Sequence, residues 1–120
     1  LGTLTLKEQV LLAYYTYNFL EEKAASMQEL ENTLKNALQN EYTKTLEDLK
    51  REGLVNNSQD DGKERTTNEG ILYMDNTLHI NSDATERNKL AYVKDSLLIN
   101  EMVFSNGTLK EYIHKHVGID

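Results

Sequence analysis

Few residues of this chain have types and spacings that suggest chemistry, and each can be weighed against the geometry its chemistry demands. His114 and His116 flank Lys115. Residues two apart on a helix point in different directions and do not readily chelate one ion, so surface histidines are expected. The polar segment from Asn57 to Asn68 can be laid on a calcium loop with Gly62 at the sharp turn, yet the position that needs a bidentate Glu holds Asn68. Calcium is not expected there. The paired acids Glu21-Glu22 and Asp60-Asp61 fall at a helix end and in a polar loop, where solvated charge is the ordinary role. No glycine-rich phosphate cradle, Ser-His-Asp arrangement or zinc-type ligand spacing occurs. With no cysteine, disulfides, thiolate metal sites and thiol nucleophiles are all excluded. The expectation is a non-enzyme with no cofactor and no metal. The 7 tyrosines lack interleaved cations and fit core packing better than a stacking surface for single strands.

The elements that carry these residues come from an ordinary globular composition. The chain has 120 residues, of which 38% are hydrophobic and 28% charged, which fits one domain with one core. No apolar run approaches the roughly 20 residues that span a bilayer, and the start lacks the basic-then-apolar order of a secretory signal. A cytoplasmic location without membrane contact is expected. The formal charge of −7 opposes strong non-specific binding to nucleic acid, because phosphate contacts draw on clustered Lys and Arg. Proline is absent, so helices must end by glycine, polar caps or packing.

Thr5-Leu6-Lys7-Glu8 has the form of a capping box and predicts a first helix. Its apolar residues fall on two sides: Leu6, Val10, Tyr14 and Tyr17 on one, Leu11, Leu12, Tyr15 and Phe19 on the other. A single core does not easily use both sides. The second needs cover, either from the C-terminal helices of the same chain or from a second copy. Ser26-Met27-Gln28-Glu29 repeats the capping form and predicts a second helix to about Asn36, with Leu30, Leu34 and Leu38 at four-residue spacing. Tyr42, Leu46 and Leu49 predict a third helix over Glu41 to Glu52, closed by Gly53 in a left-handed conformation. Beyond it the pattern predicts short strands at Leu54-Val55, Ile71 to Met74 and Thr77 to Ile80, with the polar run 56–69 as an exposed, mobile hairpin tip. Asp83-Ala84-Thr85-Glu86 opens a fourth helix that Ser105-Asn106-Gly107 should end, and a last short helix carries Leu109, Tyr112, Ile113 and Val117. The fold expected is mainly α with a small antiparallel hairpin: a three-helix core over 1–55, wing and strands over 56–80, and C-terminal helices over 83–118.

Three helices followed by a strand hairpin is the element order of the winged helix. Met27 to Leu34 resembles that superfamily's second helix, and Leu38-Gln39-Asn40-Glu41-Tyr42-Thr43-Lys44-Thr45-Leu46 resembles its turn and the start of its recognition helix. Leu49-Lys50-Arg51-Glu52-Gly53-Leu54-Val55 is similar to its recurrent ending, a Leu, three polar residues, Gly and two apolar residues. The resemblance runs from Met27 to Val55 and points to no particular family of regulators. Two departures stand out: Lys35-Asn36-Ala37 occupies a turn that usually holds a glycine or another small residue, and the wing is long. The resemblance implies a third helix in the major groove of double-stranded DNA. Gln39, Asn40, Thr43 and Lys44 would then face base edges, Lys50 and Arg51 phosphates, and Lys63 and Arg65 on the wing the backbone or minor groove.

The local charges do not form a basic patch. Residues 39–52 set Lys44, Lys50 and Arg51 against Glu41, Glu47, Asp48 and Glu52, and the wing is more acidic than basic. The third helix can therefore also be an ordinary amphipathic helix with a mixed, solvated face. The expected function is sequence-specific DNA binding, as a transcriptional regulator or a plasmid- or phage-type accessory protein acting as a homodimer. The alternative is an acidic winged-helix module that binds a protein partner and no DNA.

Overall fold

Thr5 starts the first helix as its sequence predicts. Its hydroxyl accepts from the Glu8 N–H at 3.2 Å while a Glu8 carboxylate oxygen accepts from the Thr5 N–H at 3.0 Å. The computed structural model describes residues 2–119. Helix α1 (Leu6–Asn18) is buried on every side from Gln9 to Tyr17, so both of its apolar sides serve one core. The cover for Leu11 and Tyr15 comes from the chain itself: α1 packs against α2 (Lys23–Leu38), α3 (Tyr42–Arg51), α4 (Asn68–Leu78) and α6 (Gly107–Val117). The expected conflict between the two sides does not arise, because a helix at the centre of a molecule is apolar all round.

Helix α2 begins upstream of its predicted start, at Lys23. Ala24 and Ala25 extend it, Ser26 donates its N–H within the helix to Glu22, and the capping box at Ser26 is not formed. Leu30, Leu34 and Leu38 are its buried residues. A single 3₁₀ turn, Gln39–Glu41, links it to α3, with Gln39 at φ 46°. Helix α3 buries Thr45, Leu46 and Leu49. It ends in a Schellman motif: Gly53 sits at φ 74°, its N–H reaches the Lys50 carbonyl at 3.0 Å, and the Leu54 N–H reaches that of Leu49 at 3.0 Å.

The next segment departs from expectation. Strand β2 (Val55–Asn57) pairs antiparallel with β3 (Glu64–Thr66), inside the run read as a hairpin tip. The expected strands at Ile71 to Met74 and Thr77 to Ile80 are instead helix α4 and its C-terminal exit. Thr67 caps α4 by accepting from the Gly70 N–H at 3.0 Å, and Met74 and Leu78, four residues apart, face the core. Asp75-Asn76, which has the composition of a turn, is helical because Asp75 is buried with partners from α1 and from α5 (Glu86–Ile99). The antiparallel hairpin thus spans 55–66, within a stretch where wing and strands were expected over 56–80. Its tip is closed by internal hydrogen bonds, from the Ser58 N–H to the Lys63 carbonyl at 2.7 Å and from Asn57 Nδ2 to the Gly62 carbonyl at 2.7 Å.

Ser105-Asn106-Gly107 does not end α5. That helix stops at Ile99, Glu101 turns the chain at φ 49°, and β4 (Met102–Phe104) pairs in parallel with β1 (Gly2–Leu4), a pair the sequence did not suggest. Asn106 caps α6 instead, accepting from the Thr108 and Leu109 N–H groups. The buried Gln9 amide ties these pieces together. Its Nε2 donates to the Leu4 carbonyl at 2.8 Å and the Ser105 hydroxyl at 2.7 Å, and its oxygen accepts from the Asn106 N–H at 3.1 Å. Asn106 Nδ2 in turn holds the Ala37 carbonyl at 3.0 Å, just before the turn into α3. Among the described residues, no helix is long and apolar enough to cross a membrane.

Candidate nucleic-acid interface

Helix α3 is strongly amphipathic, and its outward side is set by what it buries. With Thr45, Leu46 and Leu49 inward, Asn40, Thr43, Lys44 and Glu47 form one exposed stripe at i, i+3, i+4 and i+7. Gln39 lies exposed beside it in the 3₁₀ turn. Four of the sequence-predicted base-facing residues, Gln39, Asn40, Thr43 and Lys44, are therefore brought together at the N-terminal end of α3. Lys44 has no ion-pair partner among the described residues.

The other predicted cations are engaged within the chain. Lys50 is half-buried and lies 3.5 Å from a Glu64 carboxylate oxygen, which joins α3 to the wing. Arg51 pairs with Asp48 one turn back, although its side chain stays 72% exposed. Lys63 reaches across to α2, where its Nζ is 2.7 Å from Glu31. Arg65 lies 2.9 Å from Asp61 and covers the Tyr17 ring at 5.2 Å, while Lys23 lies over the same ring at 5.4 Å. The cations of the β2–β3 hairpin thus turn toward α1 and α2, and the exposed stripe at the start of α3 faces solvent.

A groove separates α3 from the β2–β3 hairpin, lined by Tyr42, Thr43, Leu46, Glu47, Lys50 and Glu64. Burial, followed by the negative charge of Glu64, pushes the Tyr14 hydroxyl far above its usual pKa and the Tyr42 hydroxyl upward in the same way. Both therefore stay uncharged. Glu31 holds the Lys63 ammonium above its usual range, and the Lys63 backbone N–H, followed by Arg65, keeps the Asp61 carboxyl below its own. Glu31, Glu64 and Tyr17 are thus part of this region, although no sequence signal singled them out. Their partners lie far along the chain, and only folding makes the pairs.

His114 and His116 have separate neighbours. The His114 ring meets Phe104 edge-on at 5.7 Å, and His116 Nε2 lies 2.8 Å from Glu29, so the structure does not join them in one site. In the segment compared with a calcium loop, the side chains of Asn57 and Asp61 bond to the hairpin's own backbone. Compared with protein-family models, curated proteins and solved structures, the chain matches none.

Proposed function

We propose that the chain is a winged helix-turn-helix module, with α1 to α3 as its core and β2–β3 as its wing, that reads double-stranded DNA through the N-terminal half of α3. The observation that carries this reading is the exposed stripe of Asn40 in the 3₁₀ turn and Thr43 and Lys44 on the helix after it, beside a hairpin. An amide side chain can pair in bidentate fashion with adenine, Thr can meet a thymine methyl, and Lys can donate to guanine. Lys50 and Arg51 would reach phosphate by giving up Glu64 and Asp48, and surface pairs of this kind contribute only about 0–1 kcal/mol. With so few cations, useful affinity calls for two copies on a palindromic site, as in a transcriptional regulator or accessory factor. The second side of α1 no longer calls for a partner, so the homodimer rests on this argument alone.

The test is selection of bound sequences from a random duplex pool at low and near-physiological salt, with light scattering for mass. The wild type should enrich one motif. Thr43→Ala with Lys44→Ala should lose it while stability stays within about 0.5 kcal/mol, since both residues are exposed. No enrichment at either salt would reject the proposal. A second reading, a protein-interaction module without DNA binding, is favoured by the ion pairs that engage Lys50, Arg51, Lys63 and Arg65 within the chain. It predicts partner binding that changes little with salt.

A further inference from the structure

Helix α5 carries apolar residues on two sides, and only one faces the core. Val93 and Leu97 are buried, whereas Tyr92, Leu98 and Ile99 are 41%, 55% and 78% exposed. Tyr92, Asp95 and Ile99, at i, i+3 and i+7, line a furrow whose opposite wall is the end of α4, at Leu78, His79 and Ile80. Single exposed apolar residues are ordinary, but Tyr92 and Ile99, two turns apart on one side of a helix beside a concave surface, have the form of an interaction site.

The charge of this furrow narrows what can fill it. Asp95 is its one carboxylate, and no lysine or arginine lines it. Asp95 has no ion-pair partner among the described residues. Two helix C-termini converge here, since α4 ends at Leu78 and α5 at Ile99, and neither has a basic residue in its last turn. At α4 the Asp75, Asn76 and Leu78 carbonyls accept from the Ile80 N–H, the His79 N–H and Asn100 Nδ2, whereas the C-terminus of α5 keeps partial negative charge. Glu101, exposed in the turn after α5, adds a full one. A nucleic acid would be repelled. A second copy is also disfavoured, because a two-fold axis through the middle of the stripe opposes Asp95 to Asp95 and each copy carries −7.

We infer that the α4–α5 furrow docks an amphipathic helix of another protein, one whose lysine or arginine, set between apolar residues at helical spacing, lies on Asp95. The stretch from Tyr92 to Ile99 offers about 10 Å of wall at the 1.5 Å rise of a helix, enough for two turns of the partner. Ile99 and Tyr92 receive the apolar residues, and Asp95 with the C-terminus of α5 receives the cation. This surface is separate from the α3 stripe and stands or falls without the DNA reading.

A phage-displayed library of helical peptides, panned on the immobilised full chain, tests it. Enriched peptides should carry Lys or Arg flanked by apolar residues at three- or four-residue spacing. Binding of the best synthetic peptide should weaken about tenfold or more in Asp95→Lys and in Ile99→Ala, with thermal midpoints unchanged. Replacing the peptide's cation by Glu should restore binding to Asp95→Lys. Absence of enrichment, enriched peptides without a cation, or binding to either variant as tight as to the wild type would overturn the inference. So would light scattering that shows a dimer which Ile99→Ala dissociates.

Discussion

Glu29 shows how one side chain joins elements that the sequence keeps apart. Predicted to close a capping box, it instead reaches α6, where its carboxylate oxygens lie 2.7 Å from Lys115 Nζ and 2.8 Å from His116 Nε2. Burial alone would raise its pKa, but the hydrogen bonds from Lys115 and His116 outweigh that and hold the carboxyl below its ordinary 4.5. A carboxyl depressed in the folded state stabilises the fold fully above its unfolded pKa, and that contribution is lost as pH falls through the folded value. Glu29→Gln should therefore lower the urea midpoint at neutral pH, and the gap to wild type should close as pH drops below 4.5. A gap that persists unchanged in acid would show that the Glu29 charge is not what holds α2 to α6.

At the scale of elements, the contact between α4 and the wing depends on a missing side chain. A Cβ at Gly70 would lie 2.2 Å from the Leu54 carbonyl oxygen and 2.8 Å from Thr66 Cγ2. Backbone cannot yield there without moving α4 away from the hairpin, so Gly70→Ala should destabilise by about 1–3 kcal/mol or more, read by thermal unfolding. Gly53→Ala, by contrast, meets open space and suffers only its left-handed φ of 74°, a strain of about 1 kcal/mol. If the two variants lost equal stability, the close approach at Gly70 would not be real. Helix α3 was legible in the sequence because its signals are local: Leu46 and Leu49 at helical spacing, then Gly53. Strand β3 was not, because Glu64, Arg65 and Thr66 contain no apolar residue; Arg65 packs on Tyr17, a partner forty-eight positions away. Helix α4 was misread because two short apolar runs split by Asp75-Asn76 look like a hairpin to any local rule.

For the molecule as a whole, one buried charge cluster links α1 to α4 and α5, which lie far from it in the sequence. Asp75 on α4 accepts from Lys89 Nζ on α5 at 3.0 Å through each oxygen, and from the Tyr15 hydroxyl on α1 at 2.5 Å. All three residues are buried, and burial followed by the Asp75 bond drives the Tyr15 hydroxyl well above its usual pKa. Lys89→Met would leave Asp75 without its cation in the interior and should destabilise by about 3–5 kcal/mol. Lys89→Met with Asp75→Leu, measured by the same urea titration, should recover much of that loss, because an apolar pair has no uncompensated charge to solvate. Additive losses in the double variant would mean that the two groups act independently.

The sequence by itself determined the start of α1, the amphipathic faces of α2 and α3, the glycine exit at Gly53, and the grouping of Gln39, Asn40, Thr43 and Lys44 at one helix end. All of these follow from spacings within a turn or two of chain, where residue type and periodicity dictate conformation. Only the tertiary structure decided that α1 is central, that residues 68–78 form a helix, that β1 pairs with β4, and that Lys63 and Arg65 turn inward rather than toward a ligand. Each of those outcomes depends on a partner distant in sequence, and a local pattern cannot specify whether an apolar run or a charge finds its partner in solvent or in the core.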